Sequence, residues 1–473
     1  MLTDARILSV ETFLVRTVCR TPLKFGAVVV DDLPIGYARA EVVTRDGRRG
    51  TGWGAMFLMD LWAWPGPAGT HGPRARAMVA LFDAWGRFLA GTNRHAHPLA
   101  HFWETEPELH RLAADIGRRE SGEPMNALAA LVCASPLDHA IHDAFGHALG
   151  IDAYLACGPE HMDFDLARFL GDGWRGVYPA SFLRQRFAPA LPVFHLVGGL
   201  DALRREEAPS SAPDDGVPNA LEDWIARDGV FCLKVKLRGR DLAWDLERTR
   251  EVSRVYHAVR ATRRRTLPER PFLTADTNEQ CESPAYIVEY LARLQETAPA
   301  VYDELLYVEQ PTERDLREHR WDLRPVARRK PVLIDESLTS LEDFRLALEL
   351  GWSGIALKSC KCLSADLVFA SLAEREGIPY AVQDLTNPSL ALLQSVGMAA
   401  RLHPIKGVEA NSRQFFPRAN DLAGRLHGGI CEIRDGHAHT ASLRGPGLGM
   451  RVEEIPGLEA AVRREDGAYR KRA

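Results

Sequence analysis

The chain reads as an α/β protein, a (β/α)7β TIM-type barrel behind an α+β N-terminal capping domain. Three observations predict this. From about residue 190, eight short apolar runs alternate with helical stretches over roughly 220 residues. Before that point strands come first and helices follow. The charged residues that interrupt the apolar runs fall at strand ends, where a barrel does its chemistry. A length of 473 residues exceeds one simple core. The expected boundaries are 1–189 for the cap with its insertions, 190–415 for the barrel, and 416–473 for a segment returning to the cap.

In chain order, "ARILSVETFLVRT" and "ARAEVVTRDGRRGTGWG" read as strands, the second folded at an Asp46-Gly47 turn. "RARAMVALFDAWGRFLAG" and "PLDHAIHDAFGHALG" read as helices, with Gly150 suited to end the second. "LWAWPGPAGTHGPR" and "RREEAPSSAPDDGVP" are rich in turn formers and read as irregular insertions or linkers. The barrel strands are expected in "LPVFHLVGG", "FCLKVKL", "PFLTADTN", "LLYVEQP", "PVLIDES", "GIALKS", "IPYAVQD" and "KGVEAN". "DLERTREVSRVYHAVR" and "SLEDFRLALELG" are two of the helices between them. A doubly wound open sheet is the alternative, disfavoured because no strand is followed by a glycine-rich phosphate loop.

The totals exclude several partner classes. With 59 basic and 64 acidic residues the net charge is −5, so neither nucleic acid nor a membrane surface is an expected partner. The N-terminus lacks a signal-peptide apolar block, and no run reaches transmembrane length. Eight cysteines do not make a disulfide framework, and a cytoplasmic setting is expected. Cys360 and Cys362 have no second pair at zinc-site spacing.

In "FCLKVKL" the alternation of strand side chains turns Lys234 and Lys236 to one face. The next strand ends carry Asp276 and Asn278, then Glu309, then Asp335 and Glu336, then Lys358. Three successive strands thus present a carboxylate, flanked on both sides by lysine strands. Carboxylates gathered in one mouth repel unless something positive lies between them. A hard divalent cation, Mg²⁺, is the economical answer.

The pieces "KVK", "DTN", "VEQP", "IDES" and "ALKSCK", in this order and spacing, resemble the enolase superfamily, in its muconate-lactonizing/dipeptide-epimerase-like branch. The resemblance implies that Asp276, Glu309 and Asp335 bind Mg²⁺ and that Lys236 and Lys358 are acid/base groups on opposite faces of the substrate. Lys234 would hold a substrate carboxylate or tune Lys236. Asp335 and Glu336 are expected to point to opposite faces, and the resemblance favours Asp335 as the ligand. Metal and lysine charges would stabilise an enediolate. A lysine base with pKa near 10.4 costs about 4.6 kcal/mol to deprotonate at pH 7, a cost that neighbouring cations lower.

The chain departs from the family at two strand ends. The seventh reads "YAVQDLTN", with Gln383 and Asp384 where other branches place a histidine base; His403 lies further on and reads as a loop residue. The eighth reads "EAN", so Glu409 and Asn411 replace the Asp-x-Asp pair of dipeptide epimerases. Asn278, Asp384, Glu409 and Asn411 join Lys234 as candidate substrate contacts. From the cap, two stretches are expected to set specificity: Arg20 and Lys24, in an expected loop over residues 19–32, are candidates for a second anion, and Trp53, Met56 and Phe57, in residues 53–62, for an apolar wall. The expected activity is α-proton abstraction from a small-molecule carboxylate, giving racemisation or epimerisation. β-Elimination by a dehydratase or cycloisomerase would use the same residues. A non-catalytic barrel fits the full charged set less well, and a phosphate-binding barrel aldolase or isomerase would need a glycine-rich phosphate loop near strands seven and eight, which the sequence lacks. A homo-oligomer is expected.

Overall fold

The structure is a computed structural model that describes residues 1–25, 28–67, 69–263 and 267–471, and for 23–25 and 28–31 the backbone alone. The alternating N-terminal runs pair as a three-stranded antiparallel sheet of β1 (Ala5–Phe25), β2 (Val28–Thr44) and β3 (Arg49–Phe57). The Asp46-Gly47 turn forms with Gly47 at φ 88°, a left-handed conformation that glycine adopts without strain. Residues 19–32, expected as a loop, are instead largely the far end of this hairpin. Leu23 pairs with Val30 and Phe25 with Val28. Val28, Val29 and Val30 are β-branched, which favours the extended pairing they make with Phe25, Lys24 and Leu23.

The cap helices include His71–Gly91, Pro98–Ser121 and Ala127–Leu149. The last begins nine residues before the stretch legible as a helix, because Leu128–Ala134 is apolar on every side and shows no stripe. Asn126 caps it through Ala129 N, and Gly150 closes it at φ 70°.

Gly50, Gly52 and Gly54 share one face of β3, and that helix lies directly on them. A Cβ at Gly52 would run into the Ala144 amide, and one at Gly54 into the Pro136 carbonyl. Backbone meets backbone here, so no side chain can move aside. Gly54→Ala is expected to cost about 3 kcal/mol or more in urea unfolding, and a cost below about 1 kcal/mol would show that the helix can lift off the strand.

The second sheet is parallel and closed. Its eight strands are β4 (Ala190–Val197), β5 (Cys232–Lys236), β6 (Phe272–Asp276), β7 (Leu305–Glu309), β8 (Val332–Ile334), β9 (Gly354–Lys358), β10 (Tyr380–Gln383) and β11 (Val408–Glu409). They pair in sequence order, and β11 pairs with β4 to complete the barrel. Each expected strand is present. A short further strand, β12 (His437–His439), adds antiparallel to β4. Inside the barrel, Tyr307, Leu333 and Ala381 form a small apolar floor beneath the charged mouth. The C-terminal helix Leu458–Arg470 packs on β1, with Asp466 accepting from Leu14 N and Arg470 paired to Asp83.

Among the described residues no two cysteines form a disulfide, and the Cys362 thiol donates to the Leu131 carbonyl. Among the described residues no helix is long and apolar enough to cross a membrane.

Candidate active site

Strand register sets the site. Lys236, Asp276 and Glu309 lie side by side on β5, β6 and β7, level with Leu333 of β8. Asp335 follows just beyond the end of β8, and Lys358 ends β9 beside Gln383. The three carboxylates are 0% exposed, and Lys234, Lys358 and Lys236 are 2%, 3% and 8% exposed.

Each carboxylate is held by lysines. Lys236 Nζ donates to Asp276 Oδ2 at 2.5 Å and to Asn278 Oδ1 at 2.8 Å. Lys234 Nζ donates to Glu309 Oε1 at 2.8 Å and Glu409 Oε1 at 2.7 Å, and lies 3.1 Å from Asp276 Oδ2. Lys358 Nζ donates to Asp335 Oδ2 at 2.6 Å. Burial alone would neutralise such groups, but the charges of the partners prevail. Asp276 is held well below the usual carboxylate range by Lys236 and Lys234, and Asp335 by Lys358 and Lys361. Lys234 is kept charged by Glu309, Glu409 and Asp276, and Lys358 chiefly by Asp335. Glu309 goes the other way: burial, then the charge of Asp276, push it well up despite Lys234. Burial and the charge of Asp335 raise Glu336 to about 7.

Glu336 does not turn away from the mouth as strand alternation suggested. β8 ends at Ile334, so residues 335 and 336 no longer alternate. Glu336 Oε1 accepts from Trp62 Nε1 at 2.9 Å and Asn278 Nδ2 at 3.2 Å, and its Oε2 is buried without a partner. On the far side, Asp384 accepts from Thr386 N and Asn411 N and is raised to about 7, first by burial and then by Glu409. Asn411 Oδ1 accepts from Leu196 N at 3.0 Å, which ties it to β4.

The cap candidates fall elsewhere. Arg20, expected near an anion, meets the 204–218 linker region instead. Its Nε and Nη2 donate to Asp215, the carbonyls of Pro213 and Val217, and Asn219 Oδ1. The side chain of Lys24 lies outside the described residues. His403 is exposed, with Nδ1 3.2 Å from Glu374, away from the mouth.

Lys361, Gln310 and Trp62 were not singled out from the sequence, and Gln383 was named only as standing where other branches place a histidine. Lys361 donates to the carbonyl of Asp335 at 2.5 Å. Gln310 Oε1 accepts from Asp335 N at 2.8 Å, and Gln383 Nε2 donates to Glu309 Oε2 at 2.5 Å. Trp62 reaches Glu336 from the cap. The first two stand inside the motifs "ALKSCK" and "VEQP", so proximity to the charged strand ends was the available signal.

The donor set fits a hard divalent cation: the buried carboxylates of Asp276 and Glu309 at one level, that of Asp335 just beyond the end of β8, and a fourth, Glu336, with an open oxygen. With the lysine ammoniums between them, no three acidic, histidine or cysteine side chains among the described residues are drawn together closely enough to hold a metal ion as they stand.

The chain is a closed parallel barrel with lysines and carboxylates on adjacent strand ends, beside an N-terminal cap, and the C-terminal strand ends are where barrels of this class carry their sites. The family model described as "Enolase C-terminal domain-like" matches residues 217–455, and the chain belongs to the enolase superfamily, in its muconate-lactonizing/mandelate-racemase-like part. No curated protein matches at the sequence level. Among solved structures, a putative sugar isomerase of Streptomyces coelicolor is similar with TM-score 0.61 at 17% identity, over 99% of each chain. An enolase from Bradyrhizobium, complexed with magnesium and mandelic acid, gives 0.58 at 22% identity, over 95% of this chain and 96% of that one. A muconate lactonizing enzyme from Pseudomonas fluorescens, complexed with muconolactone, gives 0.56 at 19%, over 94% and 96%.

Proposed function

We propose that this protein is a Mg²⁺-dependent enzyme that removes the α-proton of a small carboxylate substrate and returns a proton to the resulting enediolate, as a racemase or epimerase. The observation that supports this reading is the level row of Lys236, Asp276 and Glu309, closed on its other side by Asp335 and Lys358. Asp276, Glu309 and Asp335 would hold the Mg²⁺, whose charge stabilises negative charge developing on the substrate carboxylate.

The protein's own groups do the rest. Lys236 and Lys358 end strands separated by the three acidic ones, so they reach the α-carbon from opposite sides. To act as base a lysine must first give up a proton. Asp335, serving as a ligand, would no longer be free to hold the Lys358 ammonium in its charged form. Lys234, anchored by Glu309 and Glu409, stays charged and keeps the mouth positive toward a carboxylate. The buried position of every member excludes water, which strengthens each of these interactions. Asp384, Glu409 and Asn411 line the side where a distal substrate group would be recognised.

The test is a screen of carboxylates in D₂O with Mg²⁺, reading α-deuterium by mass spectrometry. Incorporation that depends on Mg²⁺ is expected for at least one member. A broad acid panel, including hydroxy acids, sugar acids and dipeptides, that stays free of deuterium would overturn the reading.

A further inference from the structure

We propose that Trp62 is a positioning residue for Lys358, so that the cap completes the proton-transfer site. Trp62 lies five residues beyond the end of β3, on a segment fixed to the barrel and to the rest of the cap. Arg314 Nη1 donates to the carbonyls of Trp62 and Ala63, and Asn126 Nδ2 donates to the Ala63 carbonyl. Arg314 is itself paired with Glu279. The segment is therefore a fixed wall.

The indole uses both of its chemical faces. Its ring lies 4.6 Å from Lys358 Nζ, within the range where a ring quadrupole attracts an ammonium. Its Nε1 donates to Glu336 Oε1, the same oxygen that accepts from Asn278, while Asn278 Oδ1 accepts from Lys236. One chain of contacts thus runs Lys236–Asn278–Glu336–Trp62–Lys358. When Asp335 turns away from Lys358, the indole face still fixes where the amine stands.

This inference rests on the proposed role of Lys358, but its test needs no substrate, so a failed deuterium screen and a failed Trp62 assignment are told apart. Trp62→Leu and Trp62→Phe are compared with the parent by reductive methylation with formaldehyde and a borane, followed by mass spectrometry of each lysine. Trp62→Leu is expected to raise labelling of Lys358 about tenfold, with Lys236 and the outlying Lys330 within about twofold. Trp62→Phe, which keeps a ring face, is expected to restore labelling to within about threefold of the parent. Unchanged Lys358 labelling in Trp62→Leu would overturn the proposal. So would a parallel rise at Lys236, which would mean that the cap had merely loosened, or a Phe variant no better than Leu.

Discussion

Lys236→Ala is expected to abolish α-proton exchange with one stereoisomer of a substrate while leaving exchange with the other detectable, and Lys358→Ala to show the reverse. The loss on the affected face should be about 10²- to 10⁴-fold, the usual worth of a positioned acid or base. Both variants should fold. Without Lys236, Asp276 still faces Lys234 at 3.1 Å; without Lys358, Asp335 still holds Lys361. Neither deletion leaves a buried carboxylate without a cation, the situation that costs most. The outcome also separates the chemistries that share this site. If the reaction is a β-elimination, one lysine alone is the base: its removal stops all exchange, and removal of the other slows turnover without regard to stereochemistry. Full activity in either single variant would defeat the two-lysine assignment.

Glu309→Gln is expected to weaken Mg²⁺ binding by more than about 100-fold in calorimetry while leaving the metal-free protein as stable as its parent or more so. The two effects have opposite sign for one reason. Burial and the neighbouring Asp276 charge raise the Glu309 carboxyl well above its ordinary 4.5, so the ionised form is unfavourable without metal. A group raised in this way contributes stability that is present below pH 4.5 and lost as pH rises toward its elevated value. The amide cannot ionise and escapes that loss. Urea unfolding of the metal-free proteins should therefore show the variant gaining on its parent as pH rises from 4.5. Unchanged Mg²⁺ affinity would remove Glu309 from the ligand set.

Much of this architecture was legible because its signals are local. The barrel strands are short β-branched runs between helices, and each of the eight was found. The lysine and carboxylate strand ends could be placed for the same reason: the end of a parallel barrel strand has one destination. What escaped depends on loops and on contacts between distant segments. The expected opposition of Asp335 and Glu336 assumed a strand that in fact stops at Ile334. The contact of Trp62 with Glu336 joins residues 274 positions apart, and nothing in either segment announces the other. Arg20 looked like a free cation because its partners lie 193 to 199 residues away. The helix over 127–149 was seen only from its second half, since complete burial erases the periodicity that reveals an amphipathic helix.

The Arg20 clamp limits how modular this protein is. A single guanidinium from the cap hairpin gathers Pro213, Asp215, Val217 and Asn219, all in the excursion that follows the first barrel strand. A hairpin that arrived without that arginine would take the donor from the Val217 carbonyl and Asn219 Oδ1, and leave Asp215 and the Pro213 carbonyl only Val217 N and Asn219 Nδ2; the excursion grafted alone would lack its donor. The two segments form one heritable unit split across the chain. Any recombination of caps and barrels that separates residue 20 from residues 213–219 must rebuild this joint from both sides.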